Sequence, residues 1–147
     1  MKRLIIILKA VLFAALFLPA PGHISASDKY QELVNCDLHT QACTRPLAAG
    51  VAVTLEVTPK PVKAMQDLSF KVTLSGKQST APKDLYIDLG MPGMKMGPNR
   101  VRLDAAGNNT YTGQGVIVRC PSGRRIWQAT VIVPEVGHTD FIFDVIY

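Results

Sequence analysis

The sequence is poor in the residues that most enzyme active sites and nucleic-acid interfaces require. Its 147 residues include only three histidines, three cysteines and one tryptophan. It has no Ser nucleophile elbow, no Gly-rich phosphate loop after a strand, and no pair of carboxylates beside a placed base. The 16 Lys and Arg residues exceed the 11 Asp and Glu residues, but part of the excess lies at the very start and the remainder forms no dense block. The composition therefore argues against an enzyme and against nucleic-acid binding.

Residues 1–26 have the pattern of a secretory signal peptide. A basic start precedes an apolar run that ends at Leu18, and residues 24–26 form a suitable cleavage site. The apolar stretch after Lys9 is shorter than the roughly 20 residues that a membrane-spanning helix needs. We therefore expect export to the periplasm or another extracytoplasmic compartment. The alternative is an uncleaved N-terminal membrane anchor in which Lys9 reaches the interface.

Three cysteines follow the signal segment, so in an oxidising compartment one of them is left without a partner inside the chain. We favour a disulfide between Cys36 and Cys43, because the short loop between them closes with little loss of entropy. A bridge from Cys120 to either of them is an equal alternative to a free Cys120 thiol. A metal site formed by Cys36, His39 and Cys43 is less favoured than a plain cystine loop with an exposed His39.

Past residue 50 the hydrophobic pattern takes the two-residue period of β-strands, whereas residues 27–50 are polar and show no clear period. Clusters of turn-forming residues separate the alternating segments, and no amphipathic helix is evident. Seven strands are expected, at residues 51–58, 68–74, 85–89, 100–103, 110–119, 125–133 and 141–146. We therefore predict an all-β fold, in which an irregular lead-in (residues 27–50) precedes a seven-stranded antiparallel immunoglobulin-like sandwich (residues 51–147).

Strand parity groups the connecting loops at the two ends of such a sandwich. If successive strands run in opposite directions, the loops after the first, third and fifth strands lie at the same end. These loops are residues 59–67, 90–99 and 120–124. They carry every methionine that follows the signal segment, together with the third cysteine: Met65, Met91, Met94, Met96 and Cys120. The sequence thus predicts one end that is rich in sulfur-containing side chains.

The loop at residues 90–98, which we call the methionine loop, holds Met91, Met94 and Met96 among three glycines and two prolines. Thioethers are soft ligands that suit Cu(I), and they stay available where thiolates are lost to disulfides or to protonation. Glycines let the backbone fold closely around an ion, and prolines reduce the entropy lost in doing so. The loop therefore predicts a Cu(I) site, with Met94 and Met96 on one face and Lys95 pointing to solvent.

Cys120 would complete this soft site if its loop contacts the methionine loop, and Arg119, Arg124 and Arg125 would favour its thiolate. The methionines also suit a purely structural role, since adaptable thioether side chains can plug the open end of a sandwich. In that case the loop is apolar filler rather than a set of metal ligands.

Three motifs follow one another in order along residues 51–147. Residues 88–97 contain a Met-Pro-x-Met type of loop, residues 107–115 a strand with spaced glycines and Tyr111, and residues 127–131 a strand that begins with tryptophan. In this order the motifs resemble those of the YtkA-like and FixH-like domains. The resemblance implies an exported or membrane-anchored immunoglobulin-like module linked to copper handling or to assembly of haem-copper oxidases. Its metal ligands would fall on the three methionines of the methionine loop.

Taken together, the sequence predicts a non-enzymatic periplasmic domain that binds Cu(I) through Met94 and Met96, with Met91 and Cys120 as further ligands. Its partners would be the copper ion, a copper-handling protein or a membrane protein, and not nucleic acid. The alternative is a metal-independent interaction module whose methionine-lined end docks a partner protein.

Overall fold

The computed structural model describes residues 28–76 and 82–147, and within them the fold is all-β, as predicted. A four-residue helix, α1, is followed by nine strands: α1 (Asp28–Gln31), β1 (Cys43–Pro46), β2 (Val51–Thr58), β3 (Asp67–Gly76), β4 (Tyr86–Gly90), β5 (Arg100–Arg102), β6 (Asp104–Gly107), β7 (Thr110–Val116), β8 (Ile126–Val133) and β9 (Gly137–Asp144). The proposed signal peptide (residues 1–26) lies outside the described residues. Among the residues described, no helix has the length and apolarity that crossing a bilayer requires.

The nine strands of the described residues form two antiparallel sheets. One has the order β1-β2-β3-β7-β6 and the other the order β5-β4-β8-β9. Inward-facing residues alternate with partly exposed ones along β2 and β8, because successive side chains of a strand point to opposite faces. The inward faces meet in one core, whose largest fully buried side chains include Trp127, Phe70, Phe141 and Phe143. The arrangement is a β-sandwich.

The strand count differs from the seven that the sequence predicts. The described residues contain two further strands, β1 in the lead-in and β6 after β5. Segment 27–50, expected to be irregular, therefore contributes an edge strand, since β1 pairs with β2 along its whole length. Strand β6 extends to Gly107, so the turn before β7 consists of Asn108 and Asn109 alone, which both have positive φ.

Three loops meet at one end of the sandwich, as strand parity predicts: residues 59–66, 91–99 and 117–125. We call them the end loops. The amide of Met65 donates a hydrogen bond to the carbonyl of Ile117 (2.8 Å), which joins the first loop to the third. Arg124 Nη2 donates to the carbonyl of Pro92 (2.6 Å), which joins the third to the second. The end loops therefore form one continuous surface.

Candidate functional site

The methionine loop begins with a tight β-turn that pairs the backbones of two of its methionines. The amide of Met94 donates to the carbonyl of Met91 (3.0 Å), and the two residues form an antiparallel bridge. Pro92 and Gly93 occupy the corner, and Gly93 has a φ of 70°. This combination is typical of a type II turn, in which proline fixes the first corner residue and glycine accepts positive φ at the second. The turn thus places Met91 and Met94 directly opposite each other.

A groove of about 570 Å³ runs beside this turn, and all three methionines of the loop line it. Met91 is buried at 3% exposure, Met96 is partly buried against the core, and Met94 is exposed at 36%. Lys95 is exposed, as expected. Because Met91 is buried and Met94 is exposed, thioethers lie both at the base and at the rim of one groove.

Polar side chains from the outer face of the β4–β8 pair complete the groove. Asp88 lies opposite Thr130 on β8 and opposite Arg100 on β5. Gln128 donates to the hydroxyl of Thr130 (3.1 Å), and that hydroxyl donates to Asp140 (2.6 Å). The groove therefore combines soft sulfur donors with a single lining carboxylate, that of Asp88.

The described residues contain no cluster of three or more His, Cys, Asp or Glu side chains placed to share a metal ion. Comparison of the chain with protein-family models, with curated proteins and with solved structures returned no match.

Arg124 connects the methionine loop to the lead-in and to the core. Besides its bond to Pro92, its guanidinium stacks on the ring of Tyr30 at 3.9 Å, a cation–π contact. A Cβ added at Gly93 would lie 3.2 Å from the hydroxyl of Tyr30, so the turn and the lead-in fit closely. The carbonyl of Arg124 accepts a hydrogen bond from Tyr147. The turn of the methionine loop is thus stabilised by contacts with Arg124 and Tyr30 as well as by its own backbone hydrogen bond.

Cys120 lies in the third end loop but does not line the groove. It is buried at 7% exposure and is the free cysteine of the chain. Its Sγ is 3.0 Å from Ser122 Oγ, and its amide donates to the hydroxyl of Tyr147 (3.1 Å). The hydrogen bond with Ser122 is the main reason that the pKa of the thiol falls below its ordinary value, and the charge of Arg124 adds a smaller effect.

This environment sets an expectation for the reactivity of the thiol. Although its lowered pKa favours the thiolate, we expect burial to make Cys120 react with a bulky disulfide reagent at least about tenfold more slowly in the native protein than after unfolding, because only the accessible thiolate is attacked. Timed labelling of the non-reduced protein, with and without denaturant, measures the ratio. The total should reach one thiol per chain, and equal rates in both states would contradict the buried placement.

The favoured disulfide is confirmed, since Cys36 and Cys43 are bonded. Their sulfurs are thus not thiolates, and they do not form the alternative metal site with His39. The expectation of an exposed His39 was wrong: the side chain is 22% exposed, and its Nδ1 accepts the amide of Val62 (3.1 Å). The cystine loop therefore packs against the first end loop rather than projecting into solvent.

Sequence reasoning found the three methionines and missed the residues that hold their loop in place. Tyr30 lies in a polar stretch without periodicity, and Tyr147 gave no motif. Arg124 was noted only as a charge near Cys120, whereas in the structure it mainly contacts Pro92 and Tyr30. Its neighbour Arg125 is paired with Asp144 (2.8 Å).

Proposed function

We propose that this protein is an exported β-sandwich domain that binds Cu(I) through Met91, Met94 and Met96. The observation that carries the proposal is that these three thioethers line one groove, with two of them placed opposite each other by a hydrogen-bonded turn. Methionines that served only as filler beneath a loop would be buried together. Here Met94 remains at the rim, where an ion can reach it.

The donor chemistry favours Cu(I) over harder cations. Thioethers are neutral and polarisable, and such ligands select soft ions. The charged side chains of the groove do not themselves favour a cation, because Lys95 and Arg100 line it together with Asp88. The selectivity for Cu(I) therefore rests on the thioethers. Because the turn is already closed by its own hydrogen bond and by Arg124, less ordering is required when the ion binds.

Cys120 is not part of the proposed ligand set. Its sulfur is buried, contacts Ser122 and lies away from the groove lining. We assign the thiol to the packing of the third end loop, so the proposed site consists of thioethers alone.

The wider assignment rests on the resemblance to YtkA-like and FixH-like domains and on the signal pattern of residues 1–26. On this basis we propose an immunoglobulin-like module that works in the periplasm or another extracytoplasmic space. Its role would be to accept Cu(I) from, or deliver it to, a copper-handling protein or a membrane protein during oxidase assembly. Neutral thioether ligands suit this role, because an ion that is passed to a partner must also dissociate from the protein that delivers it.

A competition titration tests the site. The reduced protein is titrated with Cu(I) against a coloured Cu(I) chelator, for the wild type and for the double variant Met94→Ala/Met96→Ala. We expect the variant to bind at least about tenfold more weakly, a loss of roughly 1.4 kcal/mol or more, because two of three donors are removed.

Two controls separate the site from other sulfur atoms. Met65→Ala removes an exposed methionine outside the groove, and Cys120→Ser removes the thiol. Both should keep the wild-type affinity. Equal, weak affinity for the wild type and the double variant would refute the proposed Cu(I) site.

A further inference from the structure

Each of the three end loops presents one exposed apolar side chain and, within two residues of it, one exposed cation. The apolar residues are among the few large hydrophobic side chains that the described part of the chain leaves exposed: Met65 at 68%, Val118 at 44% and Met94 at 36%. An exposed cation lies within two residues of each in the sequence: Lys63, Arg119 and Lys95, in the same order. The same pairing therefore occurs three times, on three separate loops at one end of the fold.

The charge of the end loops has one sign. Together they contain six Lys and Arg residues and no Asp or Glu. Nearby acids offset part of this charge: Asp144 is paired with Arg125, and Asp67 begins β3 beside the first loop. In the described residues, no ion pair involves the cations that accompany the exposed apolar residues.

We propose that this end is a peripheral membrane-binding surface for bilayers that contain anionic phospholipids. Lipid phosphates at an interface attract Lys and Arg within a Debye length, while short apolar side chains enter the boundary between headgroups and acyl chains. A surface that binds in this way needs cations and apolar residues intermixed on one face, without an enclosed pocket. The end loops provide this arrangement, and two of its three pairs, Met65 with Lys63 and Val118 with Arg119, lie outside the methionine groove.

Charge complementarity alone would also suit an acidic protein. The exposed apolar residues favour a lipid surface instead, because they come from three different loops and each has a cation within two residues, whereas protein interfaces concentrate apolar area in a core and charge at the rim. A bilayer can accept this interleaved pattern, since every cation meets a headgroup and every apolar side chain meets the acyl boundary.

Vesicle flotation tests the proposal with protein purified from the exported fraction of cells that express the full chain. We expect partitioning onto phosphatidylcholine vesicles that contain phosphatidylglycerol, little onto phosphatidylcholine alone, and release at high salt. Lys63→Gln/Arg119→Gln should weaken partitioning about 25-fold, since each cation at an anionic surface contributes roughly fivefold. Met65→Ser/Val118→Ser should weaken it several-fold while leaving Cu(I) binding unchanged.

The matched control removes two exposed cations from the opposite end, Lys83→Gln/Arg102→Gln, and should bind vesicles like the wild type. Hydrogen exchange with vesicles present should show protection of amides in the end loops. This measurement separates membrane binding by the end loops from membrane binding by a signal peptide that has not been cleaved. Thermal melts confirm that each variant folds. Any of three results would overturn the proposal. They are equal binding to vesicles with and without phosphatidylglycerol, an equal loss of vesicle binding in the control variant, and binding to soluble polyglutamate without binding to vesicles.

Discussion

Gly113→Ala is expected to lower the free energy of unfolding by about 3 kcal/mol or more, as overpacking that displaces backbone does. A Cβ at this position of β7 would collide with the carbonyl oxygen of Arg102 and lie 2.9 Å from Val101 Cγ1. Both atoms belong to β5, which crosses β7 at this point, and a carbonyl cannot rotate away as a side chain can. Guanidinium unfolding followed by tryptophan fluorescence measures the loss, because Trp127 is fully buried.

Gly97→Ala is the matched control for this substitution. Gly97 has open space around an added Cβ and no positive φ, so we expect no loss and a gain of at most a few tenths of a kcal/mol from the stiffer unfolded chain. If both variants unfolded at the same denaturant concentration, the close approach of β5 to β7 would be refuted.

The second large effect is expected from removing the disulfide. Cys36→Ser/Cys43→Ser should lower the free energy of unfolding by about 2.5 kcal/mol, the entropy that a short closed loop removes from the unfolded chain. The bridge spans seven positions. Changing both cysteines together avoids new pairing with Cys120. Denaturant unfolding of the variant, beside wild type with and without reductant, measures the effect.

The same substitution should loosen the edge of the second sheet. Asn35, next to Cys36, exchanges two hydrogen bonds with Ile142, the amide of each residue donating to an oxygen of the other (both 3.0 Å). These bonds cover the outer edge of β9. We expect the amide of Ile142 to exchange faster in the double variant, while amides in the central strand β3 exchange at the rate set by global stability. Reduced wild type should have the same stability and exchange rates as the variant. If it instead matched oxidised wild type in both, the proposed entropic contribution of the disulfide would be refuted.

The strands with a buried face were predictable from the sequence, and the edge strands were not. Strands β2 and β3 show clear alternation because one face of each packs on the core. Strand β6 is exposed along its whole length, and β1 is a four-residue edge strand that ends in Pro46. Such segments are strands only because a neighbouring backbone pairs with them, and their own side chains carry no periodic signal. The count of seven was wrong for this reason.

In the candidate site, the features formed by residues close together in the sequence were predictable, and those formed by residues far apart in the sequence were not. The clustering of Met91, Met94 and Met96 is local, so the sequence alone indicated the thioethers. The turn was not predicted: the sequence placed Met94 and Met96 on one face, whereas the structure bridges Met91 and Met94. The placement of Cys120 was not local. Whether its thiol joins the methionines depends on how the third end loop packs, and the structure places it against Ser122 and Tyr147 instead.

By itself, the sequence determined the all-β class, the strands with a buried face, the disulfide favoured between Cys36 and Cys43, and the end of the sandwich at which the sulfur-containing side chains gather. These features depend on the alternation of residues, on loop length and on strand direction, which are properties of neighbouring positions. Only the tertiary structure decided the pairing of β1 and β6 at the edges of the five-stranded sheet, the contacts of Arg124 with Pro92 and Tyr30, and the exclusion of Cys120 from the groove. Those features depend on contacts between distant segments, which are fixed when the core packs.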